Sequence, residues 1–346
     1  MGIIQKYGEL LPITKKTPRI TLEEGSTPLV YLDCISKLLD IELWGKLEGS
    51  NPTGSFKDRG MVMAVAKAIE EGAKAFICAS TGNTSASAAA YAAAAQVPCY
   101  VVLPAGKVAL GKLSQTLMYG ATVIAVKGNF DRAFEMSREA AEKTGYTVVN
   151  SVNPYRLWGQ RSGAWEVCDV LGKAPDWHAI PVGNAGNISA YWAGYKQYKE
   201  IGKIVELPQM MGFQAAGASP LVTGELCPNP ETIATAIRIG SPVNAKFAKE
   251  AVAQSNGQFN AVTDEEILSA QKLLASKGGI FAEPASCAPL AGLVKLKKEG
   301  RLPKGITVVM VLTGNGLKDL ATAMSQVGEP ITIEDNMKDL LEVMSS

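Results

Sequence analysis

Between Met61 and Val149 two apolar periods alternate along the chain. A helical pattern runs to about Glu71, followed by strand Ala75 to Ala79, helix Thr84 to Ala95 and strand Cys99 to Leu103. Then come a helix from about Val108 to Tyr119, strand Thr122 to Val126, helix Phe130 to Lys143 and strand Thr147 to Val149. Short apolar runs that alternate with helices predict βα units. Such units predict a parallel sheet, because parallel neighbours need a long crossover connection and a helix supplies it. The polar run Asn150-Ser151-Val152-Asn153-Pro154-Tyr155 interrupts the pattern and predicts a domain crossing. Beyond it lie a helix near Leu157 to Leu171, a strand at His178 to Val182, a helix from Ile188 and a strand at Met210 to Gln214. Thr263-Asp264-Glu265-Glu266 has the form of a capping box, Gly278-Gly279 stops the helix it opens, and Thr307 to Leu312 reads as a strand. With 346 residues the chain has room for about two domains. The expected fold class is α/β: a smaller mobile domain over 51–149 and a larger one from 1–50 and 150–346, each a mainly parallel sheet flanked by helices, with a crevice between them.

Several function classes are excluded early. Thirty-four basic against 33 acidic residues leave a net charge of +1, with no basic stripe, so nucleic acid is not an expected partner. The longest weakly polar stretch, Ala86 to Ala95, is far short of the roughly 20 apolar residues a membrane span needs. The N-terminus Met1-Gly2-Ile3-Ile4-Gln5-Lys6 has neither an apolar signal core nor a cleavage site, so a cytoplasmic protein is expected. Cys34, Cys78, Cys99, Cys168, Cys227 and Cys287 form no C-x-x-C pair, and no metal site is expected. The only histidine, His178, lies in a strand pattern where it packs, which removes histidine triads and histidine acid/base pairs.

Chemistry therefore has to come from elsewhere, and four loops stand out. Gly49-Ser50-Asn51-Pro52-Thr53-Gly54-Ser55-Phe56-Lys57-Asp58-Arg59-Gly60 is a turn-forming run that delivers one lysine to the mouth of a helix. Ser80-Thr81-Gly82-Asn83-Thr84-Ser85, Gly183-Asn184-Ala185-Gly186-Asn187 and Thr313-Gly314-Asn315-Gly316 each follow a strand pattern, which places them at the carboxyl ends of strands, where open α/β sheets bind ligands. The Gly183 loop can turn successive N–H groups onto one anion at a helix N-terminus, or it can be an ordinary βα turn. Nucleotide readings fit poorly. Gly106 to Lys112 follows a phosphate-binding loop until Leu113 replaces the required Ser or Thr, and Gly314 to Asp319 places Asp319 where a dinucleotide fingerprint needs a small residue. An anion cradle with a positioned lysine and no histidine is what pyridoxal 5'-phosphate chemistry requires, since the cofactor brings the phosphate and an aldehyde that condenses with a lysine.

These residues carry a resemblance that runs nearly end to end. Gly25-Ser26-Thr27-Pro28-Leu29, Asn51-Pro52-Thr53-Gly54-Ser55-Phe56-Lys57-Asp58-Arg59-Gly60-Met61 and Leu312-Thr313-Gly314-Asn315-Gly316-Leu317-Lys318-Asp319 resemble the threonine synthases, of the tryptophan-synthase-β-like pyridoxal phosphate enzymes called fold type II. The length resembles the short form. The resemblance implies that Lys57 binds the cofactor aldehyde and moves protons, and that Asn83 meets the ring hydroxyl. It implies that Gly183, Asn184, Ala185, Gly186 and Asn187 hold the cofactor phosphate. Thr313 would meet the pyridine nitrogen as a neutral hydroxyl that does not enforce a protonated ring. Ser80, Thr81 and Thr84 would receive the substrate carboxylate, or serve as helix caps. The implied reaction converts O-phospho-L-homoserine and water into threonine and phosphate, and a homodimer is implied. Rival readings are a threonine or serine dehydratase, a phosphoserine enzyme resembling cysteate synthase, and an idle binding protein. The substrate phosphate needs a pocket of its own. Ser151, Asn153 and Arg156 at the crossing are the expected residues, with Arg156 otherwise a structural ion pair and Lys46, Thr84 or Lys107 the next places to look.

Overall fold

The structure is a computed structural model that describes residues 1–106 and 110–345. Lys107 and the expected helix start at Val108 lie outside the described residues. Two sheets carry the fold. The smaller has β3 (Phe76–Ala79), β4 (Cys99–Pro104), β5 (Thr122–Val126) and β6 (Thr147–Val148) in the order β5-β4-β3-β6, all parallel. The larger contains β1 (Leu29–Tyr31), β2 (Glu42–Leu47), β7 (Trp177–Pro181), β8 (Gln209–Ala215), β9 (Gln258–Val262) and β10 (Thr307–Leu312) in the order β1-β2-β10-β7-β8-β9. It is parallel except for β1, which pairs antiparallel with β2 at one edge. The mainly parallel α/β reading holds, and the central strands β3, β7 and β10 are buried along their whole length, as sheets covered by helices require.

Strand order fixes where a ligand can sit. From β7 the large sheet grows outward through β8 and β9, then returns on the other side of β7 as β10. The loops after β7 and β10 therefore flank a switch point, the crevice where α/β sheets bind ligands. In the small sheet β3 holds the same position between β4 and β6, so the Ser80 loop also opens at a switch point.

Helix boundaries follow the caps. The helix expected near Leu157 begins at Pro154, because the Asn153 side chain accepts from the Tyr155 N–H at 3.1 Å and proline suits the first turn. Thr263 and Glu266 form the reciprocal capping box, and Gly279 in the left-handed region ends that helix. The helices Lys57–Glu70 and Pro154–Leu171 cross backbone to backbone: a Cβ on Gly159 would stand 1.8 Å from the Arg59 carbonyl oxygen.

A buried ionic cluster joins these two helices. Arg59 donates from Nε and Nη2 to Glu48 at 2.7 and 2.8 Å, from Nη1 and Nη2 to Glu166 at 2.9 and 2.7 Å, and to Ser162 and Thr27 at 3.0 Å. Lys46 adds a bond to Glu166 at 2.7 Å and one to the Thr27 carbonyl at 2.6 Å. Burial alone would raise the Glu166 carboxyl, but the Arg59 guanidinium and the Lys46 ammonium hold it well below the usual carboxylate range. The cluster ties the Gly25-Ser26-Thr27 turn, β2 and the Lys57 helix to the Pro154 helix. Lys46, once considered for substrate phosphate, is thus occupied by structure. Glu166→Gln leaves one buried cation uncompensated and is expected to lower stability by about 3 kcal/mol. A urea titration followed by circular dichroism checks this, and an unmoved midpoint would contradict it.

His178 is buried in β7, with its Nδ1 2.9 Å from the Tyr195 hydroxyl and its ring 4.4 Å from that of Tyr191. Burial pushes it down to about 3. It packs, as expected. Among the described residues no helix is long and apolar enough to cross a membrane and no cluster could hold a metal. All six cysteines are free thiols, with Cys34 exposed and Cys227 half-buried.

Candidate active site

Lys57 opens its helix, and the loop after β10 holds it there. The Phe56 N–H donates to the Thr313 carbonyl at 3.0 Å, the Asn315 N–H donates to the Gly54 carbonyl at 2.9 Å, and Ser55 and Gly314 form a lone antiparallel bridge. On the other side Asp58 accepts from the Thr53 N–H and hydroxyl at 2.7 Å and from Ser87 at 2.6 Å. The lysine itself is half-buried, with Nζ 4.3 Å from the centroid of the Phe56 ring. Desolvation, and after it the charge of Arg156, bring the amine down to about 7 against a weaker opposing pull from Glu283. A lysine with an ordinary value near 10.5 is protonated at neutral pH; this one is a free nucleophile and base about half the time. Cofactor-free protein is therefore expected to capture added pyridoxal phosphate about tenfold faster at pH 8 than at pH 6, with a plateau above. Stopped-flow absorbance measures the rate. A rate that keeps climbing tenfold per pH unit past pH 9 would contradict the depressed value.

The Gly183 loop precedes the helix Gly186–Glu200, whose N-cap Ala185 sits in the left-handed region at φ 63°. That conformation is uncommon for a residue with a Cβ, and a left-handed residue beside a right-handed one is the backbone pattern that anion nests use. Gly183 and Gly186 are walled in: a Cβ on the first would lie 3.0 Å from Ile237 Cα, and on the second 3.2 Å from Asn244 Nδ2 and 3.3 Å from Leu157 Cδ2. Both polar ends of the buried Asn187 side chain lack a partner, as does Asn244 Nδ2. Unmatched buried donors at a helix N-terminus suit a bound phosphate.

Asn83 and Thr313 are brought together by a residue that sequence reasoning missed. The buried Glu283 accepts from Asn83 Nδ2 at 3.0 Å and from the Thr313 hydroxyl at 3.2 Å. Asn83 Oδ1 is left buried without a partner. Glu283 precedes the helix Pro284–Lys298, and Glu-Pro could have signalled a helix start. It carried no hint of the site.

The remaining expected residues are placed less evenly. Gly82, with no side-chain bond, caps the helix Asn83–Ala94, so Ser80, Thr81 and Thr84 are not its caps. Ser80 Oγ accepts from the Gly82 N–H at 3.2 Å, Thr81 is half-buried and Thr84 is buried in the first turn. Ser151 is half-buried in the crossing. Asn153 commits its amide to the backbone, capping Tyr155 and donating to the Val148 carbonyl at 3.3 Å. Arg156 is the notable one. It is buried, donates one bond to the Val149 carbonyl at 3.2 Å, leaves Nε without a partner and forms no ion pair among the described residues. The expected alternative of a structural ion pair is not found. Burial draws its guanidinium down to about 10.

A lysine of depressed basicity stitched to the loop after β10, and unmatched polar groups at the helix N-terminus after the neighbouring β7, fit pyridoxal phosphate. The sequence profile described as "Pyridoxal-phosphate dependent enzyme" matches residues 20–314. A threonine synthase of Halalkalibacterium halodurans is 60% identical over 94% of this chain and 92% of its own length. One from Synechocystis is 55% identical over 99% of this chain and 90% of its own length. The chain belongs to the pyridoxal-phosphate dependent enzymes. Its fold is theirs as well: maize serine racemase superposes with a TM-score of 0.76 over 92% of this chain and 94% of its own, at 20% identity. Lys57 stands on a helix N-terminus stitched to the Thr313 loop.

Proposed function

We propose that the chain converts O-phospho-L-homoserine and water into L-threonine and inorganic phosphate. The observation that carries this reading is Arg156, a buried guanidinium with an unpartnered nitrogen and no ion pair among the described residues, close enough to Lys57 to depress its amine. A buried cation without a counter-ion is costly, and an anionic substrate group supplies the missing charge. Threonine and serine carry no phosphate, so a dehydratase would have no use for it. The names of the relatives agree with the reading.

Lys57 binds the cofactor and carries protons; Asn83 and Thr313 meet its ring; Gly183, Asn184, Ala185, Gly186 and Asn187 hold its phosphate. When bound, the cofactor supplies an electron sink for negative charge at the substrate α-carbon. The chain's own residues do the rest. The Lys57 amine takes the α-proton and a β-proton in turn. Arg156 and Ser151, at the turn shaped by Asn153, grip the phosphate as its bond to the γ-carbon breaks, and Ser80, Thr81 and Thr84 hold the carboxylate. Water then adds its hydroxyl to the β-carbon and the protons return, which balances substrate and product. Exclusion of water until that step is the task of a small domain over 51–149 closing on one made of 1–50 and 150–346. Free thiols and balanced charge suit a cytoplasmic enzyme, and we place it there as a homodimer.

Phosphate release measured with O-phosphohomoserine, O-phosphoserine, threonine and serine tests the reading. Rapid release from the first is expected, with slow or no release from the second and slow keto-acid formation from the others. Preference for O-phosphoserine, or fast deamination of threonine without phosphate release, would overturn it.

A further inference from the structure

Glu283 has an acidic side chain, is buried, and forms no ion pair among the described residues. It is built in rather than trapped. Its N–H donates to the Gly314 carbonyl at 3.0 Å, and Gly314 makes room for it: a Cβ there would lie 2.5 Å from Glu283 Oε1. It also stands at the N-cap of the Pro284–Lys298 helix, where the positive end of the helix dipole favours an anion. Its side-chain partners are Asn83 and Thr313, the two residues that the proposed function assigns to the cofactor ring, and the inference rests on that reading.

A carboxylate accepts hydrogen bonds and does not donate them. Asn83 must therefore turn its Nδ2 group toward Glu283, which agrees with the unpartnered Oδ1. Thr313 has a single hydroxyl hydrogen and two claimants for it, Glu283 Oε1 at 3.2 Å and Ser286 Oγ at 2.9 Å. A hydrogen bond to a charged oxygen is roughly twice as strong as one to a neutral hydroxyl, which outweighs the small difference in distance. Ser286 Oγ accepts from the Gly314 N–H at 3.0 Å and has two acceptors in reach of its own hydrogen, Thr313 at 2.9 Å and the Gly314 carbonyl at 3.3 Å. We propose that Glu283 is a positioning residue that sets the polarity of Asn83 and Thr313, holding the Asn83 Nδ2 group toward itself and drawing on the Thr313 hydroxyl, so that a bound ring meets both groups in one fixed orientation.

Glu283→Gln keeps the shape and removes the charge, and two readouts follow. In cofactor-free protein the pH midpoint for labelling of Lys57 by an amine-reactive acylating reagent, read by mass spectrometry, is expected to move down, because the carboxylate pull that raised it is gone. In the holoenzyme the visible band of the bound cofactor is expected to shift and become pH-dependent between pH 6 and 9. Turnover falls about tenfold or more with KM for O-phosphohomoserine little changed. Glu283→Asp, which retains the charge, restores part of both signals, and it carries the same readouts should the Gln protein fold poorly. Borohydride fixation of the cofactor on Lys57 in each protein shows whether the underlying site reading stands. With that fixation intact, a Gln variant whose band, pH profile and Lys57 midpoint match those of the wild type would overturn the role of Glu283.

Discussion

Lys57→Ala is expected to reduce threonine formation below about a thousandth of the wild-type rate, because one residue serves as cofactor anchor and as proton carrier and a positioned base alone contributes 10²–10⁴-fold. The fold should survive. Lys57 makes no contact in the buried cluster of Arg59, Glu48, Glu166 and Lys46, and its turn is held by backbone bonds from Phe56 and Asn315 that alanine does not disturb. The variant is expected to keep the circular dichroism spectrum and urea midpoint of the wild type while losing the visible band that borohydride fixes. More than about a thousandth of the activity would separate the two roles and place the base elsewhere.

Arg156→Leu is the second large effect. If the guanidinium supplies the counter-charge for the substrate phosphate, its loss is expected to raise KM for O-phosphohomoserine about a thousandfold, the scale of breaking a buried charge pair. The value of kcat falls too if the charge also steadies the leaving phosphate. Slow reactions on threonine and serine should remain within a fewfold of wild type. The variant also removes the charge that helps to depress Lys57, so the pH midpoint of cofactor capture is expected to rise above about 7. Equal losses on phosphorylated and plain substrates would assign Arg156 to the scaffold.

The small sheet was legible because each of its strands is followed by a helix with a clean change of period, as at Thr122–Val126 and Phe130–Thr144. The carboxyl-end loops were legible for the same reason: Ser80, Gly183 and Thr313 each follow a buried strand. What stayed hidden depends on contacts far apart in the chain. The short edge strand Leu29–Tyr31 gains its partner only through β2, and three residues give no period to read. Asn153 and Arg156 are three residues apart in one polar run, yet the first is a helix cap and the second a buried cation with no ion pair among the described residues; composition does not separate them. Glu283 is 200 residues from Asn83, which follows a strand of the other sheet, and 30 from Thr313, so only the folded chain brings the three together.

The path of oxygen reports which bond breaks. In water enriched in ¹⁸O, the holoenzyme with O-phospho-L-homoserine is expected to give threonine and phosphate in equal amounts, with the label in the threonine hydroxyl and none in the phosphate. That pattern means the γ carbon–oxygen bond broke and water entered at the β-carbon. Label in the phosphate, with homoserine in place of threonine, would mean hydrolysis at phosphorus and would contradict the account.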